Sequence, residues 1–256
     1  AGTGTVSIVE AVSGLGDLTI TSNGLTLGST IAGTGVLSIS PGAANVTVGI
    51  GSSSTGTLKL SDALLDSFKD KFASIIIGRA DGAAAMDLNY TAASFAYATP
   101  LTIRSLSGSF TASDTIDTTT NSFTLSTSGA ISLKAVTASS LTVGSGAITL
   151  GGNVTTSGAQ DYTGAVTLSG GDRTLTGTTV TTSSTLAGGT NALTVTGNAS
   201  FGGAITGVTT LSVSGTSTLG GNVTTSGTQG YTGAVTLSGG DRTLTGTTVT
   251  TSSTLA

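Results

Sequence analysis

Residues 150–187, LGGNVTTSGAQDYTGAVTLSGGDRTLTGTTVTTSSTLA, return as residues 219–256, LGGNVTTSGTQGYTGAVTLSGGDRTLTGTTVTTSSTLA. Only two positions differ between the copies: Ala159 against Thr228 and Asp161 against Gly230. Every Val, Leu and Tyr keeps its place. Self-similarity at a fixed period marks stacked units, each needing a neighbour to cover its apolar face. A copied segment adds length to a fibre and little to an enzyme, so the repeat points first to a structural or adhesive role.

Inside the long period there is a shorter echo. Residues 193–206, LTVTGNASFGGAIT, are answered by 211–224, LSVSGTSTLGGNVT. Related starts recur at Leu141, Val166, Leu193, Leu211 and Val235. They suggest a rung of a little over twenty residues, with three rungs to the 69-residue period. Short alternations such as Leu18-Thr19-Ile20, Leu37-Ser38-Ile39, Val46-Thr47-Val48 and Leu193-Thr194-Val195 have the period of two that marks a strand. Each is closed by Gly, Asn or Ser-Gly, which leaves no room for long flat strands or crossover helices.

The expected fold is therefore all-β, a parallel β-helix or β-solenoid. Inward aliphatic residues stack rung on rung, and outward Thr and Ser form hydroxyl rows. The chain reads as one solenoid domain over 1–256, with degenerate rungs and an insertion in 1–140 and regular repeats in 141–256. At a strand spacing of about 4.8 Å, eleven rungs would extend roughly 50 Å. One stretch breaks the pattern: Ser61 to Phe72 reads as a short amphipathic helix flanking the rod. Ser61 is its N-cap, Asp62 sits in its first turn, and Leu64, Leu65, Phe68 and Phe72 form its apolar face.

Composition excludes several function classes. The chain has no Cys, no His, no Trp and two Pro, with 8% charged residues and 40 Gly. Its mean hydropathy is nevertheless +0.36. Recurrent aliphatic residues separate it from disordered low-complexity sequence, which combines low hydrophobicity with high charge. Without Cys or His there is no disulfide, thiolate or imidazole metal site, and no Ser-His-Asp or Cys-His arrangement. Eight scattered basic residues and a net charge of −4 argue against a nucleic-acid surface. No apolar run approaches the roughly 20 residues of a membrane helix. Ala1 and Ala256 read as cut ends of something longer, because Ala256 stops where its counterpart Ala187 runs on into Gly188.

Carboxylates are the remaining route to chemistry, and the expectation is that they do not gather. Asp172-Arg173 and Asp241-Arg242 recur but lie rungs apart, and each reads as a turn in which Asp bonds its own backbone. Asp62, Asp66 and Asp70, at i, i+4 and i+8 beside Lys69 and Lys71, read as a solvated mixed-charge helix face rather than a cation site. Asp114 and Asp117 lie in a Ser/Thr-rich turn that lacks the calcium-binding repeat. Tyr162 and Tyr231 could stack on sugar rings, but packing at a coil corner is the expected role. Asn-x-Thr/Ser triplets at Asn45, Asn89, Asn153, Asn198 and Asn222 arise readily in so Thr-rich a chain. No catalytic, cofactor-binding or metal residue is assigned, no cofactor is expected, and the chain reads as not an enzyme.

The run Leu60-Ser-Asp-Ala-Leu-Leu-Asp, followed by Ile75-Ile-Ile-Gly-Arg-Ala-Asp-Gly, Leu101-Thr-Ile-Arg-Ser and Ile131-Ser-Leu, resembles segments of filamentous-haemagglutinin-like bacterial surface proteins. The most specific string is Ile77 to Gly82. The resemblance implies a right-handed parallel β-helix, secreted or exposed on the outer surface of a bacterium, that serves as a stalk, adhesin or sheath. The partners it implies are further copies of the chain, end to end or side by side, or a cell surface or matrix polysaccharide. The alternatives are a solenoid that binds carbohydrate or ice, for which Thr179-Val180-Thr181 and Thr248-Val249-Thr250 are the relevant element, and a polysaccharide-active β-helix enzyme.

Overall fold

The structure, a computed structural model, describes residues 4–68, 70–90 and 95–256. It is all-β: about half of the residues are in strands and 2% in helix, and the parallel strands stack as a β-solenoid. The described residues make about 13 coils, more than the eleven expected. Two compact units divide the chain, Ala1–Ile131 and Ser132–Ala256.

In the second unit every coil turns through three faces, and each strand pairs in parallel with its counterpart one coil away; Arg173–Thr182 and Leu193–Phe201 run through two faces as single strands. A first face holds Leu141, Gln160, Val180, Ala199, Ser217 and Val235 as successive partners. Each coil therefore takes slightly fewer residues than the rung expected from the sequence. A second face stacks Ile148 on Val166, and Leu186 on Val166 and Ile205. A third stacks Val136, Val154, Leu175, Val195, Val213 and Tyr231. The chain visits the faces always in that order. The inward residues of all three are buried, most of them completely, and each large aliphatic side chain so enclosed stabilises the stack by about 1.5–3 kcal/mol.

This geometry corrects the expected arithmetic of the repeat. Gln160 lies on the first face, paired with Leu141 and Val180, whereas its copy Gln229 lies on the third, paired with Leu211 and Val249. Val166 belongs to the second face and its copy Val235 to the first. From Gln160 the first face reaches Ser217 in three coils, and Gln229 is two faces farther round. The 69-residue period is thus three and two-thirds coils, not three. The wider spacings between the related starts misled for the same reason: Leu141, Val166, Leu193 and Val235 do not share one face. Only the echo from Leu193 to Leu211 is a true single coil, since these two residues pair directly.

The first unit carries the same ladder in a less regular form. Ile20, Ile39, Ile77, Ile103 and Leu125 are successive partners, all at most 4% exposed. Between Leu37 and its partner Ile75 the chain makes a long excursion. This holds the paired strands Val48–Ile50 and Leu58–Leu60 and the one helix among the described residues. That helix spans Asp62–Asp66 alone, with the Ser61 hydroxyl accepting from the Leu64 N–H as predicted. It stops early because the chain after it is claimed by a neighbouring strand: the N–H groups of Ile31 and Gly33 donate to the carbonyls of Ser67 and Lys71. Ladder bonds win over further helical ones. Rather than merely flanking the coil, the segment forms part of its wall, with Leu64, Leu65, Phe68 and Phe72 buried.

Candidate functional site

Most of the carboxylates are held by backbone N–H groups. Asp17 Oδ1 accepts from Val36 N at 2.7 Å, and Asp172 Oδ1 from Ala192 N at 2.8 Å, in each case one coil on. The same device is made with amides. Asn23, Asn153, Asn198 and Asn222 accept from Gly42, Thr174, Thr216 and Thr243 at 2.8–3.0 Å, each one coil later. A short Asx side chain thereby closes the gap that a corner leaves in the backbone ladder, and a charged acceptor makes the stronger bond. Sequence reasoning missed this staple. Its signal is an Asp or Asn followed, one coil length later, by the first residues of a strand.

The individual candidates fall into place on that basis. Asp172 bonds the next coil rather than its own backbone, which corrects the expected turn. Beside it Arg173 is 9% exposed; its guanidinium donates to the carbonyls of Leu150, Asp172 and Ser169. Arg242 repeats the contacts to Asp241 and Ser238. Asp62 Oδ1 accepts from Ser52 N at 2.6 Å, Asp66 Oδ1 from the Tyr90 hydroxyl at 3.3 Å, and Asp70 Oδ1 from Ala98 N at 2.6 Å. These three point to three different partners; Lys69 lies outside the described residues. Asp114 accepts from Tyr90 N and Asp117 from Thr119 N. Among the described residues no group of three or more acidic side chains is placed to hold a metal ion. The Asn89 triplet ends at Thr91, outside the described residues.

Tyr162 and Tyr231 are interior residues, each 1% exposed, so neither offers a face to a sugar. Each anchors a buried polar cluster. The Tyr162 hydroxyl donates to Gln160 Oε1 at 2.9 Å, and Gln160 Nε2 donates to the carbonyls of Val154 and, one coil up, Thr176. Tyr231, Gln229, Val223 and Thr245 reproduce every one of these bonds in the second copy. Burial pushes the Tyr162 phenol far above its ordinary range and that of Tyr231 up to about 12, because the charged form loses its hydration.

In the first unit a small, partly open cleft with room for about one water lies between Pro41, Val46, Met86 and Arg104. The adjoining Arg79 is bound bidentately by Asp81 and donates to the Pro41 carbonyl. Arg104 donates to the Gly78 carbonyl. The string Ile77 to Gly82 therefore forms a corner on the wall of this cleft. Hydrogen bonding to Arg79 holds the Asp81 carboxyl below its ordinary range, as befits a carboxylate whose charged form is the one being bonded.

The outward surface of the second unit is the remaining candidate, and it is hydroxyl-rich on all three faces. On the first, Thr142, Asp161, Thr181, Ser200, Thr218 and Thr236 follow one another one per coil. On the second, Thr149 and Thr167 are adjacent, and Thr206 continues the column after Ala187. On the third, Thr137, Thr155, Thr176 and Thr196 are in line, and Thr174 and Thr194 begin a second column. Thr179 and Thr181 lie on the first face but Thr248 and Thr250 on the third. The copied element thus never builds a single flat row.

These features define a β-solenoid with capped corners and, in its second unit, sparsely charged flanks. Comparison with known proteins adds no relative: no family model, no curated protein and no solved structure matches the chain. In the second unit the fold rests on an aliphatic interior and a recurring buried Gln–Tyr cluster. No helix among the described residues is long and apolar enough to cross a membrane.

Proposed function

We propose that the chain is a structural or adhesive section of a large secreted or surface-exposed bacterial protein, forming a stalk, fibre or sheath, and that it is not an enzyme. The observation that carries this reading is the reuse of one cassette, with the same buried Gln–Tyr hydrogen bonds, at two different angular positions. Such reuse extends a uniform ladder and builds no unique pocket, which suits mechanical reach. The engagement of most carboxylates by backbone N–H groups further supports it, and the bacterial surface setting is what the resemblance of Leu60 to Gly82 to filamentous-haemagglutinin-like proteins implies. Electron microscopy and fibre diffraction of the native material test it: filaments with an axial repeat near about 4.8 Å are expected, and discrete particles without axial order would sink it.

A second reading is favoured by one observation. On the third face Thr174 and Thr176 sit beside Thr194 and Thr196 on the next coil, a small lattice of hydroxyl and methyl groups of the kind that ice or a crystalline polysaccharide would need. Thermal hysteresis and pull-down on insoluble polysaccharide check it, and activity in either assay would move the assignment from rod to ligand-binding solenoid.

A further inference from the structure

Three properties of the second unit converge on its outward faces. The first is periodicity: each hydroxyl column repeats once per coil, at the spacing of parallel strands, about 4.8 Å. A partner can set a group opposite every member of such a column only if it has the same axial repeat, and a second copy of this chain has it by construction. The second is charge. Residues 132–256 contain only Lys134, Asp161, Asp172, Arg173, Asp241 and Arg242 as charged side chains. Only Asp161 stands in an outward column, so two faces can meet while burying almost no charge. Thr and Ser are both donors and acceptors, which makes a hydroxyl column complementary to itself. The third is rotation: because the cassette advances by three and two-thirds coils, whatever one face presents is presented by the others in turn.

We infer that all three faces of residues 132–256 are docking surfaces for the same surface of a second copy, so that chains associate side by side in three directions. The inference rests on the reading of the chain as a structural rod and names its partner. Six coils of a three-residue strand present about 300 Å² per face, well below the roughly 800 Å² per partner of a stable interface. Association through one face is accordingly weak and concentration-dependent, and it strengthens as cassettes are added in line.

Sedimentation velocity of the full chain from micromolar to millimolar concentration tests this, with circular dichroism to confirm the fold of each variant. Three sets of substitutions place lysines on one face each: Thr142→Lys, Thr181→Lys and Thr218→Lys; Thr149→Lys, Thr167→Lys and Thr206→Lys; Thr155→Lys, Thr176→Lys and Thr196→Lys. The parent chain is expected to associate with rising concentration. Each set alone should reduce association without removing it, and all three together should leave a monomer. Ser145→Lys, Ser157→Lys and Ser226→Lys, in the corners, control for net charge and should leave association in place. Thr→Ser changes at the same nine face positions should preserve it even if a lysine set unfolds. A parent chain that stays monomeric throughout overturns the inference, as does loss of all association from one face set alone or from the corner set. Isolated rods without bundles in the electron microscope would overturn it while leaving the proposed function standing.

Discussion

Gln160 shows how a polar residue is accommodated inside an aliphatic stack. Its amide reaches two carbonyls on successive coils while its oxygen accepts from Tyr162, so every side-chain polar atom of the pair has a partner. Tyr162→Phe removes the donor and leaves the Gln160 oxygen buried and unbonded, at a cost of about 1–3 kcal/mol; chemical denaturation should show the same loss for Tyr231→Phe. The hydroxyls of Thr182 and Ser217 are the opposite case, buried with no hydrogen-bond partner. Thr182→Val is expected to raise stability by about 1 kcal/mol, read in the same denaturation experiment. The tyrosines also set a pH limit. Folding favours their neutral form, so their contribution is fully present below pH 10 and is lost as pH rises from there through about 12, the value to which Tyr90 and Tyr231 are raised. Unfolding followed from neutral to strongly alkaline pH should show stability falling across that window; an unchanged midpoint would contradict the burial of these phenols.

At the scale of strands and corners, the two copies are a natural experiment. Asp161→Gly and Ala159→Thr convert the first copy into the second, whose Gln–Tyr bonds are the same, and each should change stability by less than about 0.5 kcal/mol. Gly197 allows no such freedom. It has φ +130 in the middle of the strand Leu193–Phe201, where the chain bends from the third face to the first, and a Cβ there would collide with the Gly177 carbonyl. Gly197→Ala should cost about 1–3 kcal/mol or more, read as a fall in thermal midpoint. Alternation made the start of strands such as the one at Leu193-Thr194-Val195 legible, though not its continuation through Gly197 to Phe201, and the Ser61 cap located the start of the helix. Two more things were hidden. Val, Leu and Ile serve all three faces alike, so nothing in the pattern said that Val166 and Leu193 were a coil and a third apart. The end of the helix depended on Ile31 and Gly33, far back in the chain, which no local pattern reports. Among candidate sites, the inter-coil role of Asp172 and Asn153 was not legible, because it needs the coil length first.

For the chain as a whole, charge is unevenly shared. Residues 1–131 contain nine acidic and five basic residues, and residues 132–256 three of each, so the net charge of −4 belongs entirely to the first unit. The repetitive unit is the neutral one. Its modularity is open to direct test. A chain carrying one more copy of residues 188–256 should gain three and two-thirds coils, about 18 Å of length at the strand spacing, with a thermal midpoint no lower than that of the parent. Small-angle scattering and calorimetry measure both. A longer chain that melts earlier would mean that the cassette does not fit all faces equally.

The fractional period has a geometric consequence. Every cassette brings one buried Gln–Tyr pair, one Arg bound to backbone carbonyls and one Gly-rich corner, and these interrupt an otherwise aliphatic stack. Were the period a whole number of coils, they would line up along one side of a tandem array. Displaced by a third of a revolution at each copy, they would return to the same azimuth only after three copies, eleven coils on. A tandem array built at this period would spread its polar interruptions evenly around the axis.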